Sequence, residues 1–465
     1  MITLENRFFP IRSAVCFFVE GGIILLSVLA SFVILRKYGN TGSIGFEDAV
    51  VRGIVVAFFC QVCMYMLDLY DLKHSQTLGE ILFSLIFAVG FVCIGIGGVS
   101  YVVPGFGVEG QMYYLTIFLV AVLLLVWRIA FDYFLAELAP RENILIVGKG
   151  EVARLIANEI KSRERLGFRF AGFVGEPSNG SSPAEVDDEE VLGDYGRIVE
   201  IVRARKIRKL VVAVGERRGK YPVKEMLDVK VAGCQVLEWQ GFFEKLSGRI
   251  PVDKLMPSFF IFNEGFRKSR GLLLVRRVFS MLFAATTLVI VAPLMALVGV
   301  AIKLDSAGPV FYSQNRIGQN GRIFRIFKFR SMRKDAEANV GARWAVEGDP
   351  RITRVGRMIR LTRLDELPQL FNVLRGDLDL VGPRPERPEF VAQLQSMIPY
   401  YSLRHTVKPG LTGWAQVMFT YCGTIEESKE KLQYDLFYIK NMSLKLELLI
   451  LFRTFKIVLL GRGAR

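Results

Sequence analysis

Asp365 and Glu366 stand side by side in the run LDELPQLFNVLRGDLDLVGPRPERPEF, Leu364 to Phe390. Leu364, Leu367, Leu370, Phe371 and Leu374 recur at helical spacing, so the pattern predicts a short amphipathic helix closed by Gly376, with Asp365 at its N-cap. Pro368 falls in the first turn, where a missing N–H costs nothing, and both carboxylates then lie at the positive end of the helix dipole. A phosphate and a metal ion can share such a spot. Beyond the helix, Asp377 to Val381 alternates like a half-buried strand, and Gly382-Pro383-Arg384-Pro385 turns sharply. Arg384, held between two prolines, reads as a preorganised phosphate clamp, because its planar fork matches two phosphate oxygens. The bland alternative for the acidic pair is a helix cap and nothing more.

Other residues offer the same chemistry. Lys328 and Arg330 alternate with phenylalanines, so they share one face and can neutralise a diphosphate; a lipid-headgroup or solvated face is the alternative. Lys408 to Trp414 reads as a rigid turn whose amides around Gly410, Thr412 and Gly413 suit a nucleotide or phosphate. Asp335 to Arg351 lacks periodicity and suits a lid. Far upstream, Gly148-Lys149-Gly150-Glu151-Val152-Ala153 lies between a predicted strand, Asn143 to Val147, and a helix to Ile160. That is the context of a dinucleotide loop, with Gly148 and Gly150 as its glycines and Glu176 near the distance for a ribose-binding acid; small residues kept for packing alone give the same pattern.

These residues need scaffolding. Four apolar stretches, about Ser13–Leu35, Ala49–Leu69, Leu78–Val103 and Met112–Leu135, each reach the ~20 residues that cross a bilayer. An even number of crossings after a cytoplasmic N-terminus returns the chain to the cytoplasm. Glu20, Asp68 and Arg128 are either interfacial or paired inside the bundle. From Arg141 the pattern becomes soluble α/β, with strands at Phe170–Val174 and Leu210–Val214 around a helix at Ile198–Ala204. Gln240 to Phe266 reads as an aperiodic linker, which gives boundaries of 1–138 for the bundle, 139–240 for a Rossmann-like domain, 241–266 for the linker and 267–465 for the catalytic domain.

Within that last part, the apolar run Val278–Ile302 has basic flanks at both ends, and Pro293 interrupts it. The reading is a helix-break-helix hairpin, 278–302, dipping into one leaflet, with a kinked crossing helix as the alternative. Gln314 to Gly318 reads as a turn before a strand at Phe324–Phe329, and Leu444–Leu460 as an interfacial helix. The fold class is therefore an α/β membrane protein: a four-helix transmembrane bundle, a Rossmann-like domain and a membrane-embedded α/β catalytic domain.

Composition agrees. The chain has 465 residues, 52% hydrophobic, and net charge +15; the part from Phe266 onward carries 32 Lys/Arg against 16 Asp/Glu. A basic domain beside a membrane favours anionic headgroups and phosphorylated substrates, and nothing resembles a nucleic-acid module. Six cysteines show no disulfide or zinc spacing, Cys60-x-x-Cys63 has no redox context, and two histidines exclude a multi-histidine metal centre.

Arg276-Arg277 before the proline-broken apolar run, Lys328-Phe329-Arg330-Ser331-Met332, Leu364 to Leu370, Gly382 to Pro385 and Pro409 to Gly413 together resemble the bacterial sugar transferases, or monotopic phosphoglycosyl transferases. The helices and α/β domain ahead of them resemble the large polyprenyl glycosylphosphotransferases that start exopolysaccharide or O-antigen synthesis. Gly248-Arg249-Ile250-Pro251 is similar to the PEP-CTERM-associated branch. The resemblance implies a bacterial inner-membrane enzyme with its catalytic domain in the cytoplasm. It implies Asp365 as nucleophile on a UDP-sugar, release of UMP, an aspartyl phosphosugar, and transfer to polyprenyl phosphate. Glu366 is expected to hold Mg²⁺, and Arg384 to grip phosphate with Lys328 and Arg330 as weaker candidates. Ala292 stands where the family often has serine before the hairpin proline. Direct transfer with Asp365 as base, and a nucleotide-sensing membrane scaffold without catalysis, are the rival readings; a homodimer is the expected assembly.

Overall fold

The computed structural model describes residues 11–38, 45–67, 69–70, 79, 82–83, 85–90, 110–134, 141–163, 167–175, 190–214, 222–255, 257–263, 265–333, 349–419 and 424–459. The expected ribose acid Glu176, most of the apolar stretch Leu78–Val103, Asp68 and lid residues 335–348 lie outside them. The chain divides into two compact units, 1–246 and 247–465.

In the first unit, α1 (Ile11–Lys37), α2 (Phe46–Met66) and α3 (Gly110–Tyr133) are long and apolar enough to cross a membrane. Small residues let them approach: a Cβ on Gly53 would meet the Leu25 side chain at 2.6 Å. Glu20 and Arg128 pair inside, Arg128 Nη2 donating to Glu20 Oε2 at 2.9 Å, with both side chains buried. Of the three charges left open by the sequence, Glu20 and Arg128 are thus paired inside the bundle, while Asp68 lies outside the described residues.

The α/β part follows as β1 (Glu142–Val147), α4 (Glu151–Lys161), β2 (Phe168–Val174), β3 (Val191–Gly193), α5 (Ile198–Ala204), β4 (Lys209–Val212), α6 (Val223–Val231), β5 (Gln235–Glu238) and α7 (Trp239–Ser247). The five strands are all parallel, in the order β3-β2-β1-β4-β5. Ile144 to Val147 are fully buried, as a central strand covered on both faces requires. The order reverses at β1, where doubly wound sheets open a crevice. Gly148 sits there at φ +123°, and a Cβ would strike the Ala213 carbonyl at 2.6 Å, so only glycine fits that turn. Gly150 caps α4 and faces open space.

In the second unit, α8 (Pro257–Phe262) precedes α9 (Arg270–Asp305). The segment expected as an aperiodic linker is folded: Ile250 and Val252 are buried, and Trp414 Nε1 donates to the Gly248 carbonyl at 2.8 Å. Helix α9 departs from expectation more sharply. Its 36 residues run through Pro293 without interruption, so the break between two half-helices is absent. Proline removes one hydrogen bond, and side chains packed before and after it, Leu288 and Val291, then Met295 and Val298, keep both halves in register.

Next come β6 (Phe311–Ile317) and β7 (Ile323–Phe329), an antiparallel hairpin. Gln314 to Ile317, expected to turn, are strand; the reversal is Gly318–Arg322, where Asn320 and Gly321 adopt positive φ. The remaining elements are α10 (Arg354–Leu361), α11 (Gln369–Arg375), β8 (Asp379–Val381), α12 (Pro388–Met397), β9 (Gly410–Thr412), α13 (Trp414–Met418), α14 (Ile425–Asn441) and α15 (Leu444–Leu459), with β8 and β9 parallel. Along α15, Leu446 and Ile450 are buried while Leu448, Phe452 and Phe455 are exposed, an amphipathic face of interfacial type.

Candidate active site

Arg363 adopts a left-handed conformation at φ 59°, and Leu364–Glu366 form one 3-10 turn before Pro368 and α11. Asp365 is thus inside a turn and not at a helix N-cap. The cause is packing: Leu364 and Leu367 both join the cluster of Met295, Val298, Ile302, Phe329 and Ile359, and residues three apart eclipse in 3-10 geometry. Gly376 ends α11 at φ +94°, as expected.

The turn places the two carboxylates differently. Glu366 Oε1 accepts from Lys328 Nζ at 2.7 Å and from Arg384 Nη2 at 2.5 Å, while its Oε2 has one long contact, 3.5 Å, with Arg384 Nη1. Asp365 is only 8% exposed, yet among the described residues no hydrogen bond or ion pair reaches its carboxylate. Burial raises the Asp365 carboxyl, Lys328 pulls it down, Glu366 pushes it up again, and the net shift is upward. Burial also penalises Glu366, but Arg384 and Lys328 together hold it well below the usual carboxylate range. One acid is neutralised and fixed; its neighbour keeps free lone pairs.

A second layer fixes that geometry. Asn372, fully buried, accepts from the Phe327 N–H at 3.0 Å and donates to the Arg325 carbonyl at 2.7 Å, so α11 is stitched to one edge of β7, the strand that carries Lys328. The Arg384 loop is held by its own carbonyls: Arg404 Nη2 donates to Arg384 O at 2.9 Å and Arg316 Nη1 to Pro385 O at 3.0 Å. Arg404 in turn pairs with Asp435 at 2.8 Å, and Lys431 with Glu386 at 2.5 Å. Burial works against the Glu386 charge, but Lys431, Arg404 and Arg316 bring its carboxyl down to about 2. Arg276 and Tyr438 both donate to the Val381 carbonyl at the base of the same loop, at 3.1 and 2.9 Å.

Four of the residues singled out in the sequence therefore meet: Asp365, Glu366, Lys328 and Arg384. Arg330 does not join them. The strand ends at Phe329, the two-residue alternation stops, and the Arg330 guanidinium turns to the end of α9, donating to Ala307 O at 2.9 Å and Ser306 O at 2.7 Å. It is a helix C-terminal clamp. The turn at Gly410, Thr412 and Gly413 is not an open phosphate cradle either. Gly410 N donates to Pro383 O, Thr412 O accepts from Gly382 N, and the Thr412 hydroxyl bonds Thr454 at 2.7 Å. A Cβ on Gly410 would lie 2.0 Å from Gly382 N, so these glycines let two backbones touch beneath Arg384. Arg360 was overlooked in the sequence, although arginine at every third position from Arg351 to Arg363 leads straight into Asp365. Its charge acts on Asp365 across the turn.

Magnesium can be tested against this donor set. Among the described residues no three acidic, histidine or cysteine side chains gather to cage an ion. Mg²⁺ commonly takes one or two carboxylates and completes its shell with waters and substrate phosphates. Glu366 Oε2, with only its long contact, and the unpaired Asp365 carboxylate fit that pattern.

The profile described as "Bacterial sugar transferase" matches residues 272–461, and that described as "CoA-binding domain" matches 65–221. The chain is 45% identical over 229 residues to a UDP-N-acetylgalactosamine-undecaprenyl-phosphate N-acetylgalactosaminephosphotransferase of Aeromonas hydrophila, covering 48% of this chain and 52% of that one. It is 34% identical over 339 residues to an undecaprenyl-phosphate glucose phosphotransferase of Komagataeibacter xylinus (69% and 60%). It is 30% identical over 325 residues to a UDP-glucose:undecaprenyl-phosphate glucose-1-phosphate transferase of Escherichia coli (68% and 67%). The matches thus span from about half to two thirds of the length of these curated relatives.

Proposed function

Because the chain belongs to the bacterial sugar transferases of the large polyprenyl phosphoglycosyl transferase family, we propose that it moves a sugar 1-phosphate from a UDP-sugar to polyprenyl phosphate through a covalent intermediate on Asp365. The observation that carries this reading is the unequal treatment of the two acids: Glu366 is spent on Lys328 and Arg384, whereas Asp365 is buried, unpaired and raised in pKa. A carboxylate with free lone pairs and little solvation is the better nucleophile of the two.

In the first step an Asp365 oxygen bonds to the sugar-proximal phosphorus, and the bond from that phosphorus to UMP breaks, UMP leaving with the electron pair. In the second, a polyprenyl phosphate oxygen attacks the same phosphorus and frees the carboxylate. Lys328 and Arg384 offset charge on the phosphoryl oxygens, exchanging part of their hold on Glu366 for the substrate. Mg²⁺, held by Glu366 and the substrate phosphates, would supply further positive charge there. The names of these relatives, which include UDP-sugars and undecaprenyl phosphate, support these substrate classes.

The packing of α9 supports the membrane placement that goes with this reading. Its buried positions Arg276, Ser280, Ala284, Met295, Val298 and Ile302 run along one face from end to end, and the opposite face is exposed and apolar. Both ends are tied to the same unit, Arg277 to the Val373 carbonyl at 2.6 Å and Asp305 to the Val355 N–H at 3.1 Å. A helix fastened so along its length lies in one leaflet with both ends on the cytoplasmic side, the sense in which it is re-entrant.

Initial rates of UMP release by the full-length protein, with both substrates varied, test the reaction. Parallel double-reciprocal lines and lipid-independent release of one UMP per chain are expected. Intersecting lines without that release would mean direct transfer with Asp365 as base, and no UMP from any UDP-sugar would leave a binding scaffold.

A further inference from the structure

Helix α10 carries Arg354, Arg357 and Arg360 at three-residue intervals, followed by Arg363 and then Asp365. Among the described residues, Arg354, Arg357 and Arg360 make no hydrogen bond or ion pair with another side chain, and Arg360 Nη1 is buried without a partner. Four other guanidiniums around the site are held by partners: Arg384 by Glu366, Arg330 by the end of α9, Arg404 by Asp435 and Arg316 by Pro385. Burying part of a guanidinium with an unsatisfied N–H is costly unless an acceptor arrives.

The helix is also fixed at a defined depth. Ile359 is fully buried against Met295, Val298 and Ile302 of α9. A Cβ on Gly356 would lie 2.0 Å from the Ser331 carbonyl, so α10 is seated as closely as backbones allow. The Val355 N–H bonds Asp305, the last residue of the apolar helix, which lies at headgroup depth on the membrane placement proposed above. Arg354 and Arg357 are exposed beside Met358 (56%) and Leu361 (57%), which also face outward. Guanidinium and apolar side chains alternating at headgroup depth match a ligand with a phosphate head and a hydrocarbon tail.

We infer that the exposed face of α10 is the docking track for the lipid-borne phosphate: Arg354 and Arg357 receive it, Arg360 passes it toward Asp365, and Met358 and Leu361 contact its isoprenoid chain. The inference rests on the reaction proposed above and adds a separate site for its second substrate, since Lys328 and Arg384 are left to the nucleotide sugar. Sequential arginine contacts give the lipid phosphate a path along the membrane surface to the phosphorus it must attack.

The test compares Arg354→Gln/Arg357→Gln with the native protein in nanodiscs of phosphatidylcholine alone and of phosphatidylcholine with phosphatidylglycerol. The KM for polyprenyl phosphate is expected to rise about tenfold or more in both bilayers, as loss of two charge-assisted contacts implies. The UDP-sugar KM and the amplitude of lipid-independent UMP release should hold, and Arg354→Lys/Arg357→Lys should recover part of the loss. A rise confined to the anionic bilayer would assign the arginines to bulk headgroups and overturn the track. An unchanged lipid KM, or an equal rise for the UDP-sugar, would overturn it too. The native protein's own UMP release tests the covalent reaction separately: if it is absent while the variant's lipid KM still rises, the intermediate falls and the track stands.

Discussion

At the scale of single residues, the site divides two adjacent acids by their neighbours alone. Asp365 has a carboxyl raised above its unfolded value, so its contribution to stability is present below the unfolded pKa of about 3.9 and is lost as pH rises through the folded value. At neutral pH its charge is a net cost. Asp365→Asn should therefore raise the melting temperature of the purified protein while cutting turnover at least about a thousandfold, as removal of a nucleophile does. Glu366 has the opposite sign: its depressed carboxyl stabilises above about pH 4.3 and stops doing so as pH falls through the folded value. Glu366→Gln should lower the melting temperature, since Lys328 and Arg384 then face each other without a counter-charge. A variant pair that moved both temperatures in the same direction would contradict this division. The acid limb of the turnover profile should lie above the pKa of an ordinary aspartate, because attack needs Asp365 ionised. That Asp365 and Glu366 stand together near Arg384 was legible in the sequence. Which acid would be neutralised was not, because that depends on Lys328 arriving from a strand 38 positions away.

At the scale of elements, expectation and structure part where a local period ends. Lys328 and Arg330 share a face only while the strand continues; one residue beyond Phe329 the backbone leaves β geometry and Arg330 joins the end of α9. Arg330→Gln should destabilise the protein by about 2–4 kcal/mol, by freeing carbonyls at the helix terminus, and Lys should not rescue it because one ammonium cannot span the same acceptors. Thermal unfolding in detergent checks both. Asn372→Ala leaves the Phe327 N–H and the Arg325 carbonyl without partners and should cost about 2–3 kcal/mol, with Lys328 less well placed and turnover reduced. The sequence showed Asn372 only as a polar residue in an amphipathic helix. The strands β3 and β5 were likewise missed: their residues are only half-buried or exposed, so they carry no strong alternation. By contrast β1 and β4, buried along most or all of their length, were read nearly to their ends.

At the scale of the molecule, apolar length was the clearest message of the sequence, and three of its four N-terminal stretches appear as membrane-length helices, the remaining one falling mostly outside the described residues. Pro293 carried a weaker message than composition implied, since a proline costs a helix one hydrogen bond and packing on either side absorbs it. The side of the membrane taken by each end of α9 is a property of the whole chain. Single cysteines at Gly271 and Ala307 should both react with an impermeant maleimide from the cytoplasmic side; reaction of one from each side would mean a crossing helix. The chemistry itself is tested most directly by incubating the full-length protein with a UDP-sugar and no lipid phosphate, quenching, and measuring the intact mass and its peptides. One sugar phosphate per chain, on the peptide bearing Asp365 and removed by adding polyprenyl phosphate, is the expected result. UMP release with no adduct, or an adduct that survives Asp365→Asn, would contradict it.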